Sequence, residues 1–457
     1  MSLIWQHLRA SLVLGLPLIG SQVATNVITL TDTIMMGWYG VPELAAVALG
    51  GGYLHVVLII GMGFALAVIP MVASAVANDD TTQARRVTRM GLWIAVIFGV
   101  IALPLFWFSG PILRGAGQDP GLADTTQAYL RLAGLGLLPA LLMLVLRSHL
   151  SALERTRIVL WASLAGVVLN AGLNWVFIFG NLGAPEMGVR GAAMASATTH
   201  LLMFIVLAIY AARAVGMREY DLFARLWRPD WEAFGQVFRL GWPISATLLA
   251  ESGLFLATMI MMGWIGQLEL AAHGIALQII SLTFMIHIGL SQVATVRAGR
   301  AWGRRDVASL RLVGVAVLIL SGITVALTMV LFLSMPQTLM GFFVDPADPL
   351  RPQILLIGTG LLYVAAVFQL ADAAQVMALG LLRGVQDTRV PMIYAILSYW
   401  AVGVPCAWLF GFPLGLGGPG IWLGLVVGLV LAGVLMMARF WRGAAATGVQ
   451  VEAARGA

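Results

Sequence analysis

The chain has 457 residues, 60% of them hydrophobic and only 10% charged, with a mean hydropathy of +0.95 and a formal net charge of +6. Soluble domains carry about 25% charged residues, so 20 acidic and 26 basic side chains cannot cover a water-facing surface, and disorder is excluded on the same grounds. The positive charge is spread in short clusters with no dense basic patch, which excludes a nucleic-acid module.

A membrane span needs about 20 apolar residues. Twelve such runs lie between the charge clusters: 12–37, 47–70, 88–109, 125–150, 158–180, 189–211, 237–263, 273–296, 310–333, 354–382, 391–411 and 419–440. The first follows Trp5, His7 and Arg9 without a small-residue cleavage pattern and is expected to be a retained helix. All but four of the 26 arginines fall at the N-terminus, beside the even-numbered loops or near the C-terminal end; Arg114, Arg131, Arg190 and Arg351 are the exceptions. The positive-inside rule then places both termini in the cytoplasm. The expected fold is all-α and integral to the membrane, with twelve transmembrane helices in two pseudo-symmetric six-helix lobes. The N-terminal lobe is 1–211, a cytoplasmic linker 212–236, the C-terminal lobe 237–440, and a disordered cytoplasmic tail 441–457.

The lobes repeat. Gly15-Leu16-Pro17 matches Gly241-Trp242-Pro243, Met35-Met36-Gly37-Trp38 matches Met261-Met262-Gly263-Trp264, and Glu43-Leu44-Ala45-Ala46 matches Glu269-Leu270-Ala271-Ala272, all at an offset of 226. Thr156-Arg157 matches Thr388-Arg389 at an offset of 232. Six helices is an even number, so both lobes share one orientation and are expected to be related by an axis along the membrane normal, an arrangement common in transporters.

Three acids lie inside spans: Asp32, Glu251 and Asp372. An ionisable group at that depth costs about 2.5–3.5 kcal/mol and points to a proton or cation site. At 100° per residue, Gln22, Thr25, Asn26, Thr29, Asp32 and Thr33 form one polar stripe on an otherwise apolar helix. Asn170 and Asn174 are one turn apart in the fifth span. Their amide oxygens suit a small hard cation beside a carboxylate, and they equally suit bonds between helices. In the repeat Glu251 aligns with Thr25, one helix face along from Asp32, and Asp372 sits among Gln369 and Gln375. Gln22, Asn26, Thr29, Met259, Gln278 and Gln369 are the candidate substrate-cavity residues. The single cysteine, Cys406, excludes a disulfide and a cysteine-based metal site, and no Walker-type loop is present.

These residues resemble the multidrug and toxic compound extrusion (MATE) family, in particular its NorM-like branch. The carriers are Thr31-Asp32-Thr33-Ile34-Met35-Met36-Gly37, Leu169-Asn170-Ala171-Gly172-Leu173-Asn174-Trp175, Ala250-Glu251-Ser252 and Leu382-Arg383-Gly384-Val385-Gln386-Asp387-Thr388-Arg389-Val390-Pro391-Met392. The resemblance spans about 12–440. It implies a secondary antiporter that exports varied, often cationic organic compounds in exchange for Na⁺ or H⁺. It implies a cation site at Asp32, Asn170 and Asn174, functional acids at Glu251 and Asp372, no cofactor beyond the coupling ion, and a monomer in the bacterial inner membrane. Small-molecule drugs or toxic compounds and membrane lipid are the expected partners, and nucleic acid is not. Phe368 stands where some members carry a tyrosine, which weakens a cation site in the second lobe. The alternative is a lipid-linked-oligosaccharide flippase of related architecture, which calls for a more cationic cavity; no arginine reads as central in a span. A major-facilitator transporter is disfavoured by the second loop, Asn78 to Arg86, and a membrane enzyme by the lack of a nucleophile with a base.

Overall fold

The computed structural model describes residues 3–445. Among these residues there are twelve helices long and apolar enough to cross a membrane and no strands. In chain order they are α1 (Leu3–Tyr39), α2 (Val41–Ala77), α3 (Thr81–Trp107), α4 (Pro120–Ala152), α5 (Thr156–Phe179), α6 (Val189–Arg213), α7 (Trp231–Ile265), α8 (Gln267–Gly303), α9 (Val307–Ser334), α10 (Arg351–Gly384), α11 (Arg389–Gly411) and α12 (Gly417–Arg442). Several outrun the apolar runs that announce them, because backbone hydrogen bonding carries a helix past the depth at which side chains must be apolar. The expected tail begins inside α12, and its residues 446–457 lie outside those described.

The duplication is closer in backbone than in side chains. Gly40 before α2 and Gly266 before α8 are both extended. Asp80 and Asp306 each cap the following helix by accepting from the amide three residues on, Gln83 and Ser309. Asp79 and Arg305 end the preceding helices in the left-handed region, at φ 56° and 57°. All these pairs keep the offset of 226. From Pro120 and Pro352, each in the first turn of its helix, the offset is 232, and Glu154 and Gln386 repeat the left-handed stop at φ 59° and 60°.

By packing, the chain separates into two compact units, residues 20–245 and residues 1–19 with 246–457. The division therefore falls inside α1 and inside α7, at equivalent points two residues beyond Pro17 and Pro243, and not in the 212–236 segment. In the first unit Ser245 donates to the Ile60 carbonyl (2.6 Å) and Gly241 lies against Phe64. In the second, Gly15 lies against Val293 and Arg297 donates to the Ser11 hydroxyl (2.6 Å). The connection between α6 and α7 is ordered against α3. Arg86 pairs with Asp230 and with Glu232 (2.7 Å), Arg89 donates to the Leu222 carbonyl and Trp93 to that of Leu226. The Arg86 guanidinium holds the Asp230 carboxyl below the usual carboxylate range.

Close helix contact in the second unit depends on small residues, as membrane interfaces do. Gly403, Ala407 and Gly411 on α11 face Gly428, Gly424 and residues 417–421 on α12. A side chain at Gly424 would run into the Ala407 backbone nitrogen. This contact braces a π-helical stretch of α11, Leu397–Gly403.

Candidate functional site: a buried polar centre in each unit

In the first unit, α1, α5 and α6 each deliver polar groups to one point. Asn170 and Asn174, one turn apart on α5, are fully buried. Asn174 Nδ2 donates to Asp32 Oδ1 at 2.6 Å and to Asn170 Oδ1 at 3.1 Å. Asn170 Nδ2 donates to Ser196 Oγ at 3.3 Å, and Ser196 Oγ donates to Asp32 Oδ2 at 2.5 Å. The four residues close a ring with the only carboxylate of the stripe in it. Bonds to a charged acceptor contribute about 1.5–3 kcal/mol each, which offsets much of the cost of holding Asp32 at depth. One oxygen of the ring, Asn174 Oδ1, is buried without a donor. The ring thus presents oxygens from Asp32, Asn170, Asn174 and Ser196 and no sulfur or imidazole, the donor chemistry that a hard cation takes. No group of three or more His, Cys, Asp or Glu residues placed to hold a metal ion occurs among the described residues. The two roles left open for the asparagines are one arrangement: they join helices by the same bonds that surround the carboxylate.

The threonines of the stripe are partly self-satisfied. Thr25 and Thr33 donate to the carbonyls one turn back, at 2.8 and 3.0 Å. Asn26 is half-buried and Thr29 exposed. Gln22 bonds to Arg147 of α4, a residue near the end of the fourth apolar run that charge placement groups with the loop beside it. Arg147 is only 5% exposed.

In the second unit α7 supplies Glu251, α10 supplies Asp372, and both have a carboxylate oxygen that is buried without a hydrogen-bond donor. Arg383 near the end of α10 and Tyr399 in the π-helical stretch of α11 lie within electrostatic reach of Glu251, and Asp372 interacts with Glu251 and Tyr399. Gln375, Ser398 and the Tyr399 hydroxyl add further buried, unbonded polar atoms. Phe368 packs edge-on against Phe255 and Trp422, so position 368 is part of an aromatic wall. Gln369 is fully buried and donates to the Thr283 hydroxyl, while Met259 and Gln278 are exposed.

Sequence reading missed four of these groups. Ser196 is one small residue in the run Met194-Ala195-Ser196-Ala197-Thr198-Thr199, with nothing to single it out. Arg147 and Arg383 stand so near helix ends that charge placement assigns them to loops. Tyr399 lies in Ser398-Tyr399-Trp400 with nothing in the sequence to mark it, and it is fully buried in the π-helical stretch.

A duplicated twelve-span array with ionisable groups buried in both copies is the construction of a secondary membrane transporter. Comparison with known proteins gives the family. The MatE family profile matches residues 17–176 and 243–409, two stretches that begin at the equivalent prolines of α1 and α7, and the chain belongs to that family. It is 44% identical to the "Probable multidrug resistance protein NorM" of Rhizobium meliloti (strain 1021), over 95% of this chain and 93% of the relative. It is 37% identical to the protein of the same name from Pseudomonas putida, over 95% of both chains. Among solved structures, the eukaryotic MATE transporter AtDTX14 superposes with a TM-score of 0.85 at 18% identity, covering 95% of each chain. A multidrug resistance MATE family transporter of the MOP superfamily in an outward-facing conformation gives 0.86 at 20% identity, over 98% of this chain and 99% of that one. The protein is a multi-pass membrane protein, and the members of its family are transporters.

Proposed function

We propose that the protein is a cation-coupled antiporter of the bacterial inner membrane, with both termini cytoplasmic, that exports structurally varied and often cationic organic compounds in exchange for Na⁺ or H⁺. The observation that carries the reading is the closed ring around Asp32. One half-buried carboxylate accepts two donors in a ring that also holds two buried asparagines, so it can be neutralised by a proton, by Na⁺ or by the cationic group of a substrate, but by only one at a time. Competition for one charge is what exchange requires. When Na⁺ is the coupling ion, Asp32, Asn170, Asn174 and Ser196 hold it. Glu251 and Asp372, with Arg383 and Tyr399, form a second ionisable centre that tunes the charge of the other unit. Gln22, Asn26, Thr29, Met259, Gln278 and Gln369 remain the proposed contacts for the exported compound.

A gradient of one pH unit supplies about 1.4 kcal/mol per proton, and 100 mV supplies about 2.3 kcal/mol per charge moved. The test is uptake of a fluorescent organic cation into everted vesicles, with Na⁺, pH and potential gradients imposed separately. Accumulation driven by a Na⁺ or a pH gradient is the expected result. Uptake that responds to none of the ion gradients overturns the reading.

A further inference from the structure

The N-terminal unit holds a buried charge that the ring around Asp32 does not use. The Arg147 guanidinium donates to Ser21 Oγ at 2.9 Å, to Thr25 Oγ1 at 3.4 Å and to Gln22 Oε1, and its Nε is buried without an acceptor. All three acceptors are neutral. None of the ion pairs among the described residues involves Arg147. Arginine stays protonated in proteins, and a buried charge without a counter-charge is among the costliest groups a fold can keep.

The duplication supplies an internal comparison. Thr25 and Glu251 are equivalent positions at the offset of 226. On α10, equivalent to α4 at the offset of 232, Arg383 stands one turn beyond Leu379, the counterpart of Arg147. In the second unit the guanidinium of Arg383 interacts with the carboxylate of Glu251. At the position equivalent to Glu251 the first unit has Thr25, whose hydroxyl accepts from the Arg147 guanidinium, so no acid stands there. One copy carries its own anion; the other carries the fork for one.

We infer that Arg147 is an anion subsite, which receives the carboxylate of an exported organic compound. Gln22 and Thr25, two of the acceptors of the guanidinium, are half-buried on the stripe of α1 and not sealed in the core. A carboxylate that displaces the Gln22 amide oxygen gains the paired N–H donors that arginine presents to planar anions. Asp32 stands seven residues further along nearly the same face, about 10.5 Å at 1.5 Å per residue. A zwitterion with a cationic centre about 10 Å from its carboxylate meets both charges of the stripe. The inference rests on the efflux reading for the ligand's being an exported compound.

The test uses two dyes that differ only at the carboxyl group, rhodamine B and its ethyl ester, with the full-length protein in nanodiscs. Binding is read by fluorescence polarisation and needs no gradient. The wild type is expected to bind the acid more tightly than the ester. Thr25→Glu keeps the guanidinium and places a carboxylate beside it, at the position equivalent to Glu251, and size-exclusion elution checks that the variant is folded. It should lower the acid-to-ester affinity ratio at least tenfold. Arg147→Gln should lower the same ratio, and Arg147→Lys should lower it less, since the charge remains and the fork is lost. A ratio unchanged by Thr25→Glu, or a wild type that prefers the ester, overturns the subsite. Gradient-driven export of the ester in proteoliposomes tests the efflux reading by itself, so the two ideas fail separately.

Discussion

Asp32→Asn separates the chemistry of the ring from its architecture. Asparagine has nearly the size of aspartate and keeps one acceptor oxygen, but its amide cannot accept from both Asn174 Nδ2 and Ser196 Oγ. One charge-assisted bond is lost, about 1.5–3 kcal/mol of local stability, and a hydroxyl such as Ser196 can turn to accept from the new amide. The fold should therefore persist. The effect on a bound cation is larger. Unit charges about 4 Å apart at an effective dielectric of about 20 attract by about 4 kcal/mol, or about a thousandfold in affinity. The assay is export of an organic cation from proteoliposomes under an imposed Na⁺ or pH gradient, with size-exclusion elution checking that the variant is folded. Export should fall to the level of protein-free liposomes in a variant that elutes as the wild type does. Export at the wild-type rate would refute the role of the carboxylate.

Three further outcomes follow from the geometry. Glu251→Gln and Asp372→Asn should each lower export, and the double variant should be little worse than the poorer single one, because members of one unit are not additive; losses that multiply would mean independent roles. Gly424→Ala, whose new methyl meets the Ala407 backbone, should cost about 1–3 kcal/mol and lower the melting temperature, whereas Gly52→Ala, with nothing within 4 Å, should be neutral or stabilising by up to about 1 kcal/mol; equal shifts would contradict the close approach of α11 and α12. The folded pKa of Asp230 is depressed by Arg86, so its contribution is present above the unfolded value of about 3.9 and is lost as pH falls through the lower folded value. Protection of amides in 214–230, taken relative to their intrinsic exchange rate at each pH, should fall in acid for the wild type and be lower, with less pH dependence, in Asp230→Asn; identical pH profiles would show that the Arg86–Asp230 pair does not hold this segment.

The twelve spans were legible because apolar length is a local property that the bilayer imposes on each helix separately. The duplication was legible too, since Pro17 and Pro243, with the loops after Gly37 and Gly263, keep one spacing. Asp32, Asn170 and Asn174 could be grouped because helical periodicity puts each on a polar face. What stayed hidden depends on which face meets which neighbour. Ser196 acquires its place only when α6 is laid against α1 and α5. Arg147 and Arg383 read as surface charges until α4 and α10 carry them inward. Gln369, a polar residue on a helix with an acid, turned out to bond to Thr283 within its own unit. The division of α1 and α7 between the two units is a matter of tertiary packing: Pro17 and Pro243 stand beside it, but inside unbroken apolar runs they mark a repeat and not a boundary.

That division has a consequence for how the molecule is made. Residues 3–19 leave the ribosome first, yet their packing partners are on α8: Gly289 against Ile19, Val293 against Gly15, and Arg297 on the carbonyl of His7, 290 positions away. At about 5–20 residues per second, that partner arrives some 15–60 seconds later. The first helix must enter the bilayer half-unpacked and wait. A chain cut between α6 and α7 would yield two pieces, each carrying a helical arm that belongs to the other. Such pieces are expected to accumulate only when both are synthesised in the same cell.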